Sequence, residues 1–190
     1  GPEMKLDLQP DGVCSPVGVG VSGARGNCYI YAWNFGDGTY TRGDTSFMYH
    51  TYYNNSTWDT TYNLKLTVTT QHGCVDSINQ DIPVYPNPRA DFFVNPLVQD
   101  YPETTVDLIN YSSEGNWMYL WDFDDGTSSD AKRPVRHEYE TYGEYFISLK
   151  TYSEHCADSI VKNIRILPPP PVAAFSPDTA GCGPITVQFE

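Results

Sequence analysis

Trp33-Asn34-Phe35-Gly36-Asp37-Gly38-Thr39 returns 88 positions later as Trp121-Asp122-Phe123-Asp124-Asp125-Gly126-Thr127. The echo extends on both sides. His50-Thr51-Tyr52 returns as His137-Glu138-Tyr139. Tyr62-Asn63-Leu64-Lys65-Leu66 returns as Tyr145-Phe146-Ile147-Ser148-Leu149, and Cys74-Val75-Asp76-Ser77-Ile78 as Cys156-Ala157-Asp158-Ser159-Ile160. Order is kept while the offset drifts, as expected when two copies of one fold differ in loop length. A third copy opens at Ala173-Ala174-Phe175, which echoes Ala90-Asp91-Phe92; Gly181-Cys182-Gly183-Pro184 repeats the Val13-Cys14-Ser15-Pro16 pattern. The expected units are therefore 1–86, 87–168, and a linker with the first two strands of a third unit over 169–190.

Within the second copy the apolar pattern has period two. Val106 and Leu108 alternate with polar neighbours over Thr105 to Asn110, and Trp117, Tyr119, Trp121 and Phe123 fall on one face. Asp125-Gly126 supplies a tight turn, with glycine free to take positive φ. Further strands are expected at Ala90 to Val94, Thr127 to Asp130, Val135 to Tyr139, Glu144 to Tyr152 and Ser159 to Leu167. Seven short strands in about 80 residues predict an all-β, two-sheet sandwich per copy. Pro86 and Pro88, and the run Pro168 to Pro171, mark the joins; proline removes backbone donors and favours extended, stiff spacers.

Composition narrows the function. The chain has 190 residues and a net charge of −13, which repels phosphate backbones and anionic lipid surfaces, so neither nucleic-acid binding nor membrane insertion is expected. No apolar run approaches the length of a membrane span. The nucleophile-elbow, zincin, P-loop and dinucleotide motifs are all missing, so no catalytic residues and no enzyme activity are expected. Asp122, Asp124 and Asp125 are the candidate metal ligands: three hard carboxylates close together suit calcium, though their spacing is not that of an EF-hand loop. No other cofactor is expected. Tyr40, Tyr53 and Trp58 are candidate contact aromatics. Asn54, Asn55 and Asn110 fit N-x-S/T, which matters only in a eukaryotic host.

The residues Trp33, Asp37, Gly38, His50 and Tyr52, with Trp121, Asp125, Gly126, His137 and Tyr139, form a pattern that resembles the PKD (polycystic kidney disease) domain, in two copies plus the start of a third. Asn34 and Asp124 depart from the family pattern, and Tyr52 to Thr61 is longer than usual. The resemblance implies tandem immunoglobulin-like sandwiches in an extracellular protein. The tryptophans would be core anchors, the Asp-Gly pairs would build a hairpin, and the histidines would hydrogen-bond a neighbouring strand or turn. The Gly-Cys-x-Pro and Gly-Cys-x-Asp-Ser segments are similar to PKD repeats of Bacteroidota surface, gliding-motility and type IX secretion-linked proteins. That likeness implies a spacer, adhesive or interaction scaffold whose partners are neighbouring repeats and a protein or polysaccharide surface ligand. The alternatives are an accessory binding module of a secreted protease or glycoside hydrolase, or a structural part of a secretion or motility machine. Ser77, Ser159 and Thr179 resemble the Asp-Ser/Thr-apolar sites that such organisms O-glycosylate.

There are five cysteines. In an immunoglobulin-like sandwich the third strand starts at the end that carries the last hairpin, whereas the second strand starts at the opposite end. Strand parity therefore favours Cys28–Cys74 over Cys14–Cys74. Cys156 has no partner in its own repeat and is left either to pair with Cys182 or to stay free.

Overall fold

The computed structural model describes residues 7–10, 13–22, 29–134 and 136–173. Every regular element among them is a strand. The first seven are β1 (Asp7–Pro10), β2 (Val17–Ser22), β3 (Tyr29–Asn34), β4 (Tyr40–Gly43), β5 (Phe47–Tyr52), β6 (Thr60–Thr70) and β7 (Val75–Val84). They form two sheets, in the orders β1-β2-β5 and β4-β3-β6-β7. Alternate residues point inward, and Val17, Val19, Val21, Tyr31, Trp33, Leu64, Leu66, Val68 and Ile82 from both sheets meet in one core.

The remaining strands repeat the plan: β8 (Phe92–Asn95), β9 (Val98–Asp100), β10 (Thr105–Asn110), β11 (Met118–Asp122), β12 (Ser128–Ser129), β13 (Arg136–Glu138), β14 (Gly143–Tyr152) and β15 (Ala157–Leu167). Their sheets run β13-β10-β8 and β12-β11-β14-β15-β9 around a second core centred on Trp121. Trp121 and Trp33 are 0% and 1% exposed. Each pairs with the same neighbours in its own sheet: Trp33 opposite Leu66 and Thr41, Trp121 opposite Leu149 and Ser129.

Among the described residues the strand count departs from seven in the second unit. The second sandwich has eight, because Val98–Asp100 adds itself in parallel beside the end of β15. The first sandwich has a one-residue version of this feature, a parallel bridge between Cys14 and Tyr85. The turn departures are also accounted for. Asn34 Oδ1 accepts the Gly36 N–H at 3.0 Å, as Asp122 Oδ1 accepts that of Asp124, so amide and carboxylate close the same Asx turn. Gly36 has φ of 80°, and a Cβ there would lie 2.6 Å from the Asn63 carbonyl oxygen. Asp124 takes the same left-handed conformation, with φ of 64°. It is among the residue types that tolerate that region, and its Oδ2 accepts the Phe146 N–H at 3.0 Å.

The first linker is packed: Pro86, Pro88 and Ala90 are buried. Pro168 to Pro171 are exposed. The third-copy residues from 174 onward, including Thr179 and Cys182, lie outside the described residues, as does Cys28. Among the described residues no helix is long and apolar enough to cross a membrane.

Candidate functional site: the junction between the sandwiches

The repeated motif builds a polar-aromatic cluster in each sandwich. His50 Nε2 lies 2.6 Å from Asp37 Oδ2, and His137 Nε2 lies 2.7 Å from Asp125 Oδ2. The other oxygen of each aspartate accepts the backbone N–H and the hydroxyl of the threonine two residues on, Thr39 or Thr127. Each imidazole is stacked on a phenylalanine, Phe35 at 4.0 Å and Phe123 at 3.9 Å, and meets Tyr52 or Tyr139 edge-on. Burial alone would raise the carboxyls of Asp37 and Asp125, but the hydrogen bonds from the threonine and the histidine outweigh it and hold both below the usual aspartate value. Burial, reinforced by the adjacent aspartate charge, pushes the Tyr52 and Tyr139 phenols well up. These groups lock a turn onto a strand, and their side chains bind one another.

Each carboxylate read as a candidate calcium ligand accepts at least one hydrogen bond in this turn. One oxygen of Asp122 closes the turn, one of Asp124 holds Phe146, and both of Asp125 are engaged by Thr127 and His137. Among the described residues no group of three or more His, Cys, Asp or Glu stands together as metal donors would. Ser77 and Ser159 are exposed, as candidate modification sites must be. Tyr40, Tyr53 and Trp58 are exposed too, at 81%, 59% and 70%.

The cysteines form a different pair from the one favoured by strand parity. Cys14 is bonded to Cys156, 142 residues away, with Cα atoms 5.8 Å apart, well within the range a disulfide spans. The Cys28–Cys74 bridge is not made at its described end, since Cys74 is a free, exposed thiol. The bond that exists joins one sandwich to the next. Cys14 lies beside Tyr85, past the end of β7, while Cys74 precedes the start of that strand. Head-to-tail stacking therefore brings Cys14 to the hairpin of the following unit.

The surroundings fix this contact from both sides. Ser15 N donates to the Tyr85 carbonyl and Tyr85 N to the Val13 carbonyl, both at 2.8 Å, which lays Cys14 along the end of β7. The Tyr85 ring stacks on His155 at 3.7 Å, and the Cys14 sulfur lies 3.4 Å from the His155 carbonyl oxygen. On the second sandwich, three hydrogen bonds between Ser153 and Cys156 shape the hairpin, and Asp158 Oδ2 accepts the Ala90 N–H at 2.8 Å.

A buried asparagine brings the long loop to the same place. Asn54 N donates to Ser15 Oγ at 2.8 Å, and its side-chain amide donates to the carbonyls of Val84 and Trp58. Trp58 is thereby held over a groove of about 450 Å³, whose opposite wall is Trp117, Met118 and His155 and whose polar rim includes Asp59 and Glu154. Trp117 is fixed by its indole N–H, which donates to the Ser113 carbonyl at 3.0 Å. Asn54 reads in the sequence only as a glycosylation acceptor; its role as a buried strut is a signal that sequence spacing does not carry.

Among solved structures, the chain is similar to the fibronectin(III)-like modules of Clostridium thermocellum CbhA, at 15% identity and a TM-score of 0.35, covering 87% of this chain and 95% of that one. It is also similar to murine CEACAM1b, at 12% identity and a TM-score of 0.39, covering 87% and 100%, and to the amphioxus IgVJ-C2 molecule, at 12% identity and a TM-score of 0.37, covering 87% and 97%. No curated protein matches the chain. Residues 86–166, which hold the second sandwich, match the family model of the PKD domain.

Proposed function

We propose that this chain is a run of tandem PKD-type repeats, with units at 1–86 and 87–168 and a third beginning in 169–190. In this reading it works without catalysis, as a spacer and protein-interaction scaffold of a secreted or cell-surface bacterial protein, in the setting of adhesion or gliding motility. The observation that carries the proposal is the Cys14–Cys156 bond. A disulfide between consecutive sandwiches removes the free swivelling that an ordinary linker permits, and it belongs to an oxidising compartment. Small-angle X-ray scattering tests it. The native chain should give one narrow distance distribution, and the C14S/C156S double variant a broader one. Identical broad distributions in both would overturn the spacer reading.

A second reading, an accessory polysaccharide-binding module, is favoured by the junction groove. Two indoles beside amide, hydroxyl and carboxylate groups are suited to sugar faces and hydroxyls, and the net acidity directs this toward neutral polymers. Affinity electrophoresis through neutral polysaccharides should retard the native chain and not W58A. Equal mobility of the two in every polymer tried would discard it.

A further inference from the structure

We propose that Cys74 is the acceptor for a second junction disulfide, made to a β-sandwich module that precedes this pair in the parent chain. The inference rests on the tandem-repeat reading above and extends it to a named residue and partner. Cys74 is not judged on its exposure alone. Its position occurs twice in the chain, and the second occurrence, Cys156, is bonded to the module before it.

The two hairpins are closed by the same pair of bonds, the first with one more residue in its turn. Thr70 N donates to the Cys74 carbonyl at 2.9 Å and Cys74 N to Thr70 Oγ1 at 3.1 Å; Ser153 N donates to the Cys156 carbonyl at 2.8 Å and Cys156 N to Ser153 Oγ at 3.1 Å. Each hairpin carries a histidine just ahead of the cysteine and Asp-Ser-Ile after it: His72 and Asp76 in one, His155 and Asp158 in the other. In the second sandwich the cysteine of this surface is covered. Cys156 is 3% exposed, and the neighbouring His155, itself exposed, stacks on Tyr85 of the preceding unit. In the first sandwich the corresponding surface is open: His72, Cys74 and Asp76 are all exposed, and neighbouring Val75 is 64% exposed. The partner is thereby specified. It is a module with a cysteine in an x-Cys-x-Pro segment ahead of its second strand, as in Val13-Cys14-Ser15-Pro16, presented beside the end of its last strand.

The chemistry is thiol–disulfide exchange with a disulfide oxidant of the compartment, either a low-molecular-weight disulfide or that of a thiol oxidase. The Cys74 thiolate attacks one oxidant sulfur and displaces the other as thiolate. The partner cysteine's thiolate then attacks the Cys74 sulfur and expels the second. Two protein thiols lose two electrons and two protons, and the oxidant leaves as two thiols.

The test is a chain in which residues 1–86, with C74S in the added copy only, are repeated ahead of residues 1–190, made under oxidising conditions and mapped by non-reducing peptide mass spectrometry after alkylation of free thiols. The expected result is a peptide joining Cys14 of the added copy to Cys74 of the next, with loss of the alkylated Cys74 peptide, alongside Cys14–Cys156. Cys14–Cys156 formed while Cys74 stays alkylated, or is joined to Cys28, overturns the inference and leaves the tandem reading standing. Absence of Cys14–Cys156 as well overturns both.

Discussion

Tyr52 and Tyr139 occupy the same place in the two sandwiches and are both 1% exposed, yet only one of their hydroxyls is used. Tyr139 donates to the Phe123 carbonyl at 3.1 Å, whereas the Tyr52 hydroxyl is buried without a hydrogen-bond partner. Leaving a buried polar group unpaired costs about 1–3 kcal/mol, whereas a made hydrogen bond contributes about 1 kcal/mol net. Tyr52→Phe is therefore expected to be neutral or stabilising, and Tyr139→Phe to destabilise by about 1 kcal/mol. Urea unfolding of both variants checks this, and an equal loss in both would contradict it.

Removing the Cys14–Cys156 bond should separate two events that the native chain couples. Each sandwich has its own core. C14S/C156S is thus expected to unfold in two resolved transitions by calorimetry, where the oxidised chain shows one, with the loss bounded by the roughly 5 kcal/mol that closing a loop of this length is worth.

Acid should weaken both sandwiches through one pair of groups. Asp37 and Asp125 titrate lower when folded than when unfolded. The unfolded chain then takes up protons first as pH falls, so the stabilisation is complete above about pH 4, the ordinary aspartate value, and drains away as pH drops through the folded values. D37N/D125N is expected to flatten the acid limb of a plot of melting temperature against pH. A limb of unchanged steepness would show that other carboxyls set it.

Trp33→Ala and Trp121→Ala should each cost about 3–5 kcal/mol, as truncation of a buried tryptophan does. Trp121→Ala should be the more damaging of the two, because its indole N–H donates to the Ala131 carbonyl at 3.0 Å while that of Trp33 is 3.5 Å from the Thr45 oxygen. Each loss should be confined to its own sandwich in calorimetry of the C14S/C156S background.

Much of this architecture is written locally. The inward positions of Tyr119, Trp121 and Phe123 follow from alternation, and β10 begins and ends where the pattern over Thr105 to Asn110 places it. β9 was invisible because Val98–Asp100 sits between two prolines and is too short to show a period; its pairing comes from β15. The Cys14–Cys156 bond was missed for a different reason. Strand parity orders the ends of a single sandwich, and this contact depends on how the next one is stacked against it. The same holds for the junction groove, where Trp58 is placed by Asn54 and Ser15, residues with no recognisable spacing relation to it.

The crosslink also decides where tension travels. A pull applied to the two ends of the chain passes from residue 14 directly through sulfur to residue 156, and everything between them hangs as a slack loop off the stretched line. With 142 positions bridged and roughly 3.5 Å of reach per extended residue, about 500 Å of contour is withheld until the bond is reduced. Under load the oxidised chain therefore lengthens only through the residues outside the bridge, and a reductant releases the rest.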